Sequence, residues 1–249
     1  MSNALAARFA AAGLDWIVPD WAAPASVRAF STTRSGRAGA VFDLSPRTPD
    51  RELVRAELRR WLPEDPTWLA QVHGSAVCEV DGVRRANRNA PRADAAVARS
   101  ERRVCAVQTA DCMPVLFADR AGEVVAAAHA GWRGPAAGVL EATLAAMSVE
   151  PKVVIAWLGP AIGPRAFEVG PDVLAAHCGE DAGAAACFAP LRPGKWLADL
   201  YGLARRRLVR AGVETVHGGD RCTFTEHDLF YSYRRDRGDS RMATFIWRE

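Results

Sequence analysis

Apolar residues along this chain fall mostly into short runs, alternating or continuous, bounded by glycine, proline and polar turn-formers. That pattern predicts strands. Ten segments fit: Val27 to Thr32, Trp68 to His73, Val77 to Val80, Ala93 to Ala98, Val104 to Thr109, Val115 to Ala118, Val124 to His129, Val153 to Trp157, Val213 to Val216 and Ala243 to Trp247. Asp119-Arg120-Ala121-Gly122 lies between two of them and reads as a hairpin turn. Helical periodicity is rarer and better bounded. Thr48-Pro49-Asp50 starts one helix, with Leu53, Val54, Leu58 and Trp61 on its apolar face. Pro135 opens a second, running to about Met147, and Pro171 a third, running to about Cys178. Asp199 caps a fourth, carried by Leu200, Leu203, Ala204, Leu208 and Ala211 and stopped by Gly212. Strands outnumber helices and no regular strand-helix-strand alternation appears. The reading is therefore α+β, with mixed α/β layers rather than a doubly wound parallel sheet. Ala182 to Pro193, rich in small residues, reads as a surface loop, and nothing marks a linker or repeat, so one domain over residues 1–249 is expected.

Composition narrows the function classes. The 249 residues are 49% hydrophobic and 24% charged, as in ordinary globular proteins, and the net charge of +3 argues for neither nucleic acid nor membrane as a partner. No apolar run approaches the ~20 residues that cross a bilayer. The alanine-rich start is interrupted by Arg8 and reads as a short helix rather than a signal peptide, so a cytoplasmic location is expected. The run Arg205-Arg206-Arg207 with Arg210 reads as a solvated helix face. Six cysteines without a CxxC do not suggest a disulfide framework, and five of them read as structural. Cys112 differs.

Three strand ends terminate in residues that can bind metal, beside glycine or another turn-former. They are Gln71-Val72-His73-Gly74, Ala110-Asp111-Cys112-Met113-Pro114 and His129-Ala130-Gly131-Trp132-Arg133-Gly134. Two imidazoles and a thiolate suit zinc, with a fourth tetrahedral position left for water or substrate. Spacing alone leaves open the alternative of a buried cysteine and two histidines bonded to backbone carbonyls.

The same segments resemble the YfiH-type proteins, a laccase-domain family also described as polyphenol-oxidase-like. Thr32-Thr33-Arg34, Leu158-Gly159-Pro160-Ala161-Ile162-Gly163, Phe167-Glu168-Val169-Gly170, Tyr231-Ser232-Tyr233-Arg234-Arg235-Asp236 and Arg241-Met242-Ala243 add to the match in family order. The resemblance implies a four-layer αββα sandwich with mixed sheets, cytotoxic-necrotizing-factor-like, and zinc on His73, Cys112 and His129. It implies phosphorolysis of purine nucleosides (adenosine, inosine, methylthioadenosine) with phosphate as co-substrate, and an accompanying adenosine deaminase activity. The family's older name implies copper and phenol oxidation instead. For copper, Met113 beside a His2Cys set would complete a blue-copper recipe. Cys112 as the nucleophile of an amidase acting on peptidoglycan precursors is a third reading. A binding module around a structural zinc is a fourth, for which no further ligand is evident.

Supporting residues follow from the chemistry. Deamination needs a carboxylate for proton transfer, and Asp111 and Glu168 are the candidates. Asp111 can equally shape its turn, and Glu168 can pair with Arg165. Phosphate needs guanidinium groups, for which Arg34 and Arg133 sit in glycine-containing loops, though either can form a structural ion pair. Trp132 and Phe167 can stack a purine or belong to the core. The chain departs from the family pattern at Arg37, Asp43 and Ser240. Asp43 stands where the family has asparagine, which makes its ligand contacts an open question. The oligomeric state, monomer or homodimer, is not legible.

Overall fold

The computed structural model describes residues 2–83 and 89–249. Its central element is a six-stranded mixed sheet ordered β11-β7-β5-β6-β3-β2. These strands are β2 (Val77–Glu79), β3 (Ala95–Ala98), β5 (Met113–Asp119), β6 (Val125–Ala130), β7 (Val154–Leu158) and β11 (Thr215–Gly218). The inner strands β7, β5, β6 and β3 pair antiparallel, while the outer pairs β11–β7 and β2–β3 are parallel. A second sheet is antiparallel, ordered β1-β12-β4, from β1 (Val27–Ser31), β12 (Met242–Arg248) and β4 (Cys105–Thr109).

Side-chain alternation on these strands builds four layers. Val27, Ala29, Cys105, Val107 and Ile246 from the smaller sheet meet Ala96, Ala98, Leu116, Ala118, Val125 and Ala127 from the larger one, closing the space between sheets. The other face of the large sheet, with Val97, Val115, Phe117, Ala128 and Ala156, packs on helices α4 (Val139–Met147) and α6 (Leu200–Arg210) through Leu140, Leu144, Ala204 and Leu208. The other face of the small sheet, with Phe30, Phe245 and Trp247, packs on α1 (Ser2–Ala11) and α2 (Arg51–Leu58) through Leu5, Phe9, Val54 and Leu58. The result is the expected αββα order. Strands β3 and β6 are made largely of alanine, and all of their residues are buried.

Several expected elements shift. Trp68 to His73 is not a strand. Gln71 instead uses its side-chain amide as a strand partner, donating to the Gln108 carbonyl (2.9 Å) and accepting from the Gln108 N–H (2.8 Å). The expected helix from Pro135 to Met147 is broken in two, α3 (Arg133–Ala136) and α4, because Gly138 takes φ +86° between them. The expected surface loop from Ala182 to Pro193 is a 3₁₀ turn followed by β9 (Phe188–Arg192), an edge strand of a third sheet in which β10 (Lys195–Ala198) pairs with β9 on one side and β8 (Glu168–Val169) on the other. Remaining helices are α5 (Pro171–Cys178) and α7 (Tyr233–Asp236). The α6 arginines are solvated only in part, with Arg210 exposed and Arg207 largely covered. Arg206 and Arg210 pair with Asp181, Arg207 with Glu141, and Arg205 donates to the carbonyls of Val216 and Gly218. The Asp119 turn forms as expected, its carboxylate accepting from the N–H groups of Ala121, Glu123 and Val124.

Candidate metal centre

His73, Cys112 and His129 converge at one end of the large sheet. His129 lies near the end of β6, Cys112 immediately precedes β5, and His73 sits on the connection leading to β2. Their candidate donor atoms all lie within 4.8 Å of one another, with Cys112 Sγ 3.9 Å from His73 Nε2. Tetrahedral zinc with bonds of about 2.0–2.3 Å spaces its ligands about 3.3–3.8 Å apart. The three side chains therefore fit such an ion with a closure of about 1 Å.

Asp94, at the start of β3, organises the group. It receives His129 Nδ1–H (2.9 Å) and the backbone N–H groups of Val72 (3.1 Å), His73 (2.8 Å) and Gly74 (2.7 Å). Fixing Nδ1 as donor leaves Nε2 of His129 as the donor atom facing Cys112. His73 holds a left-handed backbone, φ +61°, which a non-glycine residue adopts only when its surroundings impose it. Burial opposes ionisation of Asp94, but the His129 bond and the three amides outweigh it and lower the carboxyl below its ordinary value. Burial likewise opposes a Cys112 thiolate, yet the positive charge of His129 and hydrogen bonds from His129 and His73 lower the thiol well below the ordinary range. In turn, burial disfavours a charged His129, and the adjacent thiolate and Asp94 raise it. The site is thus set up to hold sulfur as thiolate, the form a metal binds.

Two neighbours make room for the cluster. A Cβ on Gly131 would lie 2.5 Å from Cys112 Sγ, so only glycine lets the thiol occupy its position. Asp111, with φ +81°, turns the chain into Cys112.

The cluster opens into a cleft of about 720 Å³ whose wall includes Trp132, Phe167 and Tyr233 together with Arg47, Arg133 and Arg234. Arg237 and Arg241 extend the basic rim. The Arg133 guanidinium stacks 4.4 Å from the Trp132 ring centroid, and the Trp132 carbonyl accepts from buried His177 Nε2 (3.1 Å).

A family model described as multi-copper polyphenol oxidoreductase laccase matches residues 28–249. The chain belongs to the YfiH-type laccase-domain family. A relative from Escherichia coli named purine nucleoside phosphorylase YfiH is 49% identical, the alignment covering 93% of this chain and 98% of the relative. A Pseudomonas aeruginosa protein also named purine nucleoside phosphorylase matches at the same identity and coverage. Among solved structures, a Neisseria meningitidis protein is 46% identical with TM-score 0.86, covering 94% of this chain and 99% of that one. A Bacillus licheniformis YfiH protein is 27% identical with TM-score 0.80, covering 90% and 93%.

Not every residue that the YfiH likeness points to reaches the cleft. His73, Cys112, His129, Arg133, Trp132 and Phe167 line it. Asp111 also borders it, but its carboxylate already accepts from Thr223 Oγ1 (2.6 Å), Ser232 Oγ (3.0 Å) and the Arg234 N–H (2.6 Å), an anchoring role. Glu168 lies outside the lining residues and pairs with Arg192, not Arg165. Arg34 is also outside, donating to the His227 carbonyl (2.8 Å) and stacking on Tyr231. Asp43 is not among the residues that line the cleft. It accepts from the N–H groups of Ser45 (2.8 Å) and Arg241 (2.9 Å) and so ties the early loop to the entry of β12. Met113 is buried in the apolar layer against the helices and is not among the residues that line the cleft.

Sequence reasoning gave no role to Asp94, Gln71, Tyr233, Arg234, Arg237 or Arg241. Gln71, Tyr233, Arg234 and Arg241 stood in the motif segments, while Asp94 was marked as a lone carboxylate inside the apolar run Ala93 to Ala98.

Proposed function

We propose that this chain is a zinc-dependent purine nucleoside phosphorylase acting on adenosine, inosine and methylthioadenosine, its whole length serving as one catalytic domain. One observation carries the reading. Two imidazoles and a thiolate, within 4.8 Å of one another, stand at the base of a cleft that also offers aromatic faces and guanidinium groups. The names carried by the bacterial relatives agree with it.

In phosphorolysis a phosphate oxygen bonds to the anomeric carbon as the bond from that carbon to the purine nitrogen breaks. The products are the free base and the sugar 1-phosphate. Arg133 suits the phosphate, because its guanidinium is presented to the cleft on Trp132 and can bind two oxygens at once. Trp132, Phe167 and Tyr233 offer flat apolar surfaces to a purine. When bound by His73, Cys112 and His129, zinc supplies Lewis-acid polarisation of the group in its fourth position. Asp94 keeps His129 in the tautomer whose Nε2 is free.

The accompanying adenosine deaminase activity belongs to the same reading but draws less from this site. It needs a carboxylate in proton-transfer range. Asp111 is the carboxylate next to Cys112, and it would have to release one of its three donors to serve. The reading also carries a cytoplasmic location, supported by six free cysteines, which suit a reducing compartment. No helix among the described residues is long and apolar enough to cross a membrane.

The deciding experiment is release of hypoxanthine from inosine by zinc-loaded protein with and without phosphate. Phosphate-dependent release, lost in Cys112→Ala, is expected. Absence of phosphate-dependent cleavage by the zinc-loaded wild type overturns the assignment.

The lowered Cys112 thiol favours a second reading, in which Cys112 attacks an amide carbonyl as a thiolate with His129 as proton donor. Metal analysis of protein purified without added metal separates the two. Near-stoichiometric zinc supports the first, and metal-free protein with amidase activity the second.

A further inference from the structure

The most heavily used polar side chain around the metal centre is one that does not belong to the donor set. Asp94 is fully buried, and its two oxygens collect four donors. Oδ1 accepts from His129 Nδ1–H and from the N–H of His73. Oδ2 accepts from the N–H groups of Val72 and Gly74. One carboxylate therefore contacts the side chain of one candidate ligand and the backbone of another, from strands and loops far apart along the chain.

We propose that Asp94 is the positioning residue that assembles the metal centre, acting on two of its three ligands at once. This rests on the zinc reading above. On His129 it selects the tautomer, because a carboxylate accepts only: when the ring is neutral, as metal binding requires, its one proton sits on Nδ1 and Nε2 keeps the lone pair. On His73 it holds the backbone in the left-handed conformation that carries the imidazole toward Cys112. Three amides converging on one buried carboxylate offset the strain of that turn, which for a non-glycine residue is about 1–3 kcal/mol. At the end of the Trp68 to His73 segment the Val72 and His73 amides point to Asp94 rather than to a neighbouring strand.

The arrangement requires a carboxylate. An asparagine has the same shape but one acceptor and one NH₂. Placed with its NH₂ toward Val72 and Gly74, it opposes two backbone donors. Placed the other way, it opposes the His73 N–H and donates to His129 Nδ1, which moves the imidazole proton to Nε2 and blocks the metal-facing nitrogen. Either orientation spoils one ligand.

The test measures zinc affinity of Asp94→Asn by competition with a chromogenic chelator, and the visible spectrum of the cobalt(II)-loaded protein. A matched control is Asp119→Asn. Asp119 is also a buried carboxylate accepting three backbone N–H groups, but in the turn between β5 and β6. The expected result is a loss of zinc affinity of about 10–100-fold in Asp94→Asn, the range for residues that orient metal ligands. The thiolate-to-cobalt and ligand-field bands should weaken or shift. Asp119→Asn should lower the melting temperature and leave zinc affinity unchanged. If Asp94→Asn does not fold, Asp94→Glu, which keeps the charge one methylene further out, should show the same loss of affinity. Zinc affinity within twofold of wild type in folded Asp94→Asn or Asp94→Glu overturns the proposal, as does an equal loss in Asp119→Asn. A wild type that binds no zinc overturns the zinc reading itself, and an inactive wild type that binds zinc tightly overturns only the phosphorylase assignment.

Discussion

A Cβ built on Gly131 would stand 2.5 Å from the Cys112 sulfur, well inside van der Waals contact. The glycine that follows His129-Ala130 is therefore a space-making residue for a side chain from another loop. Gly131→Ala should leave the fold intact, because β6 has ended, but push the thiol about 1 Å from its place. The expected outcome is at least a tenfold loss of zinc affinity with an unchanged far-ultraviolet circular dichroism spectrum.

In metal-stripped protein, Cys112 should be the fastest-reacting thiol at neutral pH. Burial opposes its ionisation, but His129 and His73 outweigh it and lower its pKa, so the thiolate forms well below pH 8.5 and is lost as the pH falls through the lowered value. Burial raises the thiols of Cys78, Cys105, Cys178 and Cys187. Iodoacetamide labelling against pH, read by mass spectrometry, should give Cys112 a midpoint on the acid side of an ordinary thiol. His129→Ala should move that midpoint upward, and no movement would remove His129 as the cause.

Asp111→Asn discriminates an anchor from a proton carrier. Its carboxylate receives two hydroxyls in buried surroundings and one amide in partly buried ones. Replacement should cost about 2–4 kcal/mol of stability. The turnover number of the folded fraction at low temperature should fall modestly, and its pH profile should keep its shape. Loss of one limb of that profile would make Asp111 a proton carrier instead.

The two arginines singled out by sequence should separate in kinetics. Arg133→Ala removes a guanidinium from the cleft wall and should raise the KM for phosphate about tenfold, the scale of one charge-assisted contact. Arg34→Ala should leave that KM within about twofold, since Arg34 is spent on the His227 carbonyl and the Tyr231 ring, and should show instead as a lower Tm.

Phe30 is fully buried and stacks in parallel on Trp16, ring centroids 5.3 Å apart, at the heart of the layer under α1 and α2. Phe30→Ala should destabilise the protein by about 3–5 kcal/mol in urea unfolding. Zinc affinity of the folded protein should be unchanged, because this layer lies on the far side of the small sheet.

The layered fold was legible because burial on both sheet faces writes itself into short apolar runs, and β1, β4, β6 and β12 fall within a residue or so of their expected bounds. Trp68 to His73 misled because its apolar residues occur without a ladder: Gln71 pairs through its side-chain amide, the Ala70 N–H goes to the Pro91 carbonyl, and the Val72 and His73 amides go to Asp94. β9 and β10 were hidden by Pro190, Pro193 and Gly194, which resemble turn-formers even though the hairpin uses only part of them as a turn. At the site, the three candidate ligands were visible because few residue types bind metal. Asp94 was not, since a single buried acid shows its purpose only when its four donors are seen in space. Glu168, Arg34 and Asp43 carried motif likeness, but their partners lie along other surfaces.

Methyl groups line both sides of β3 and β6, and this confines where the molecule can vary. Adding even a few carbons at Ala95, Ala96, Ala127 or Ala128 would wedge two layers apart, at about 1–3 kcal/mol each. The platform beneath the imidazoles is thus nearly closed to innovation, and any drift in substrate choice among descendants has to be written into the loops that overhang it.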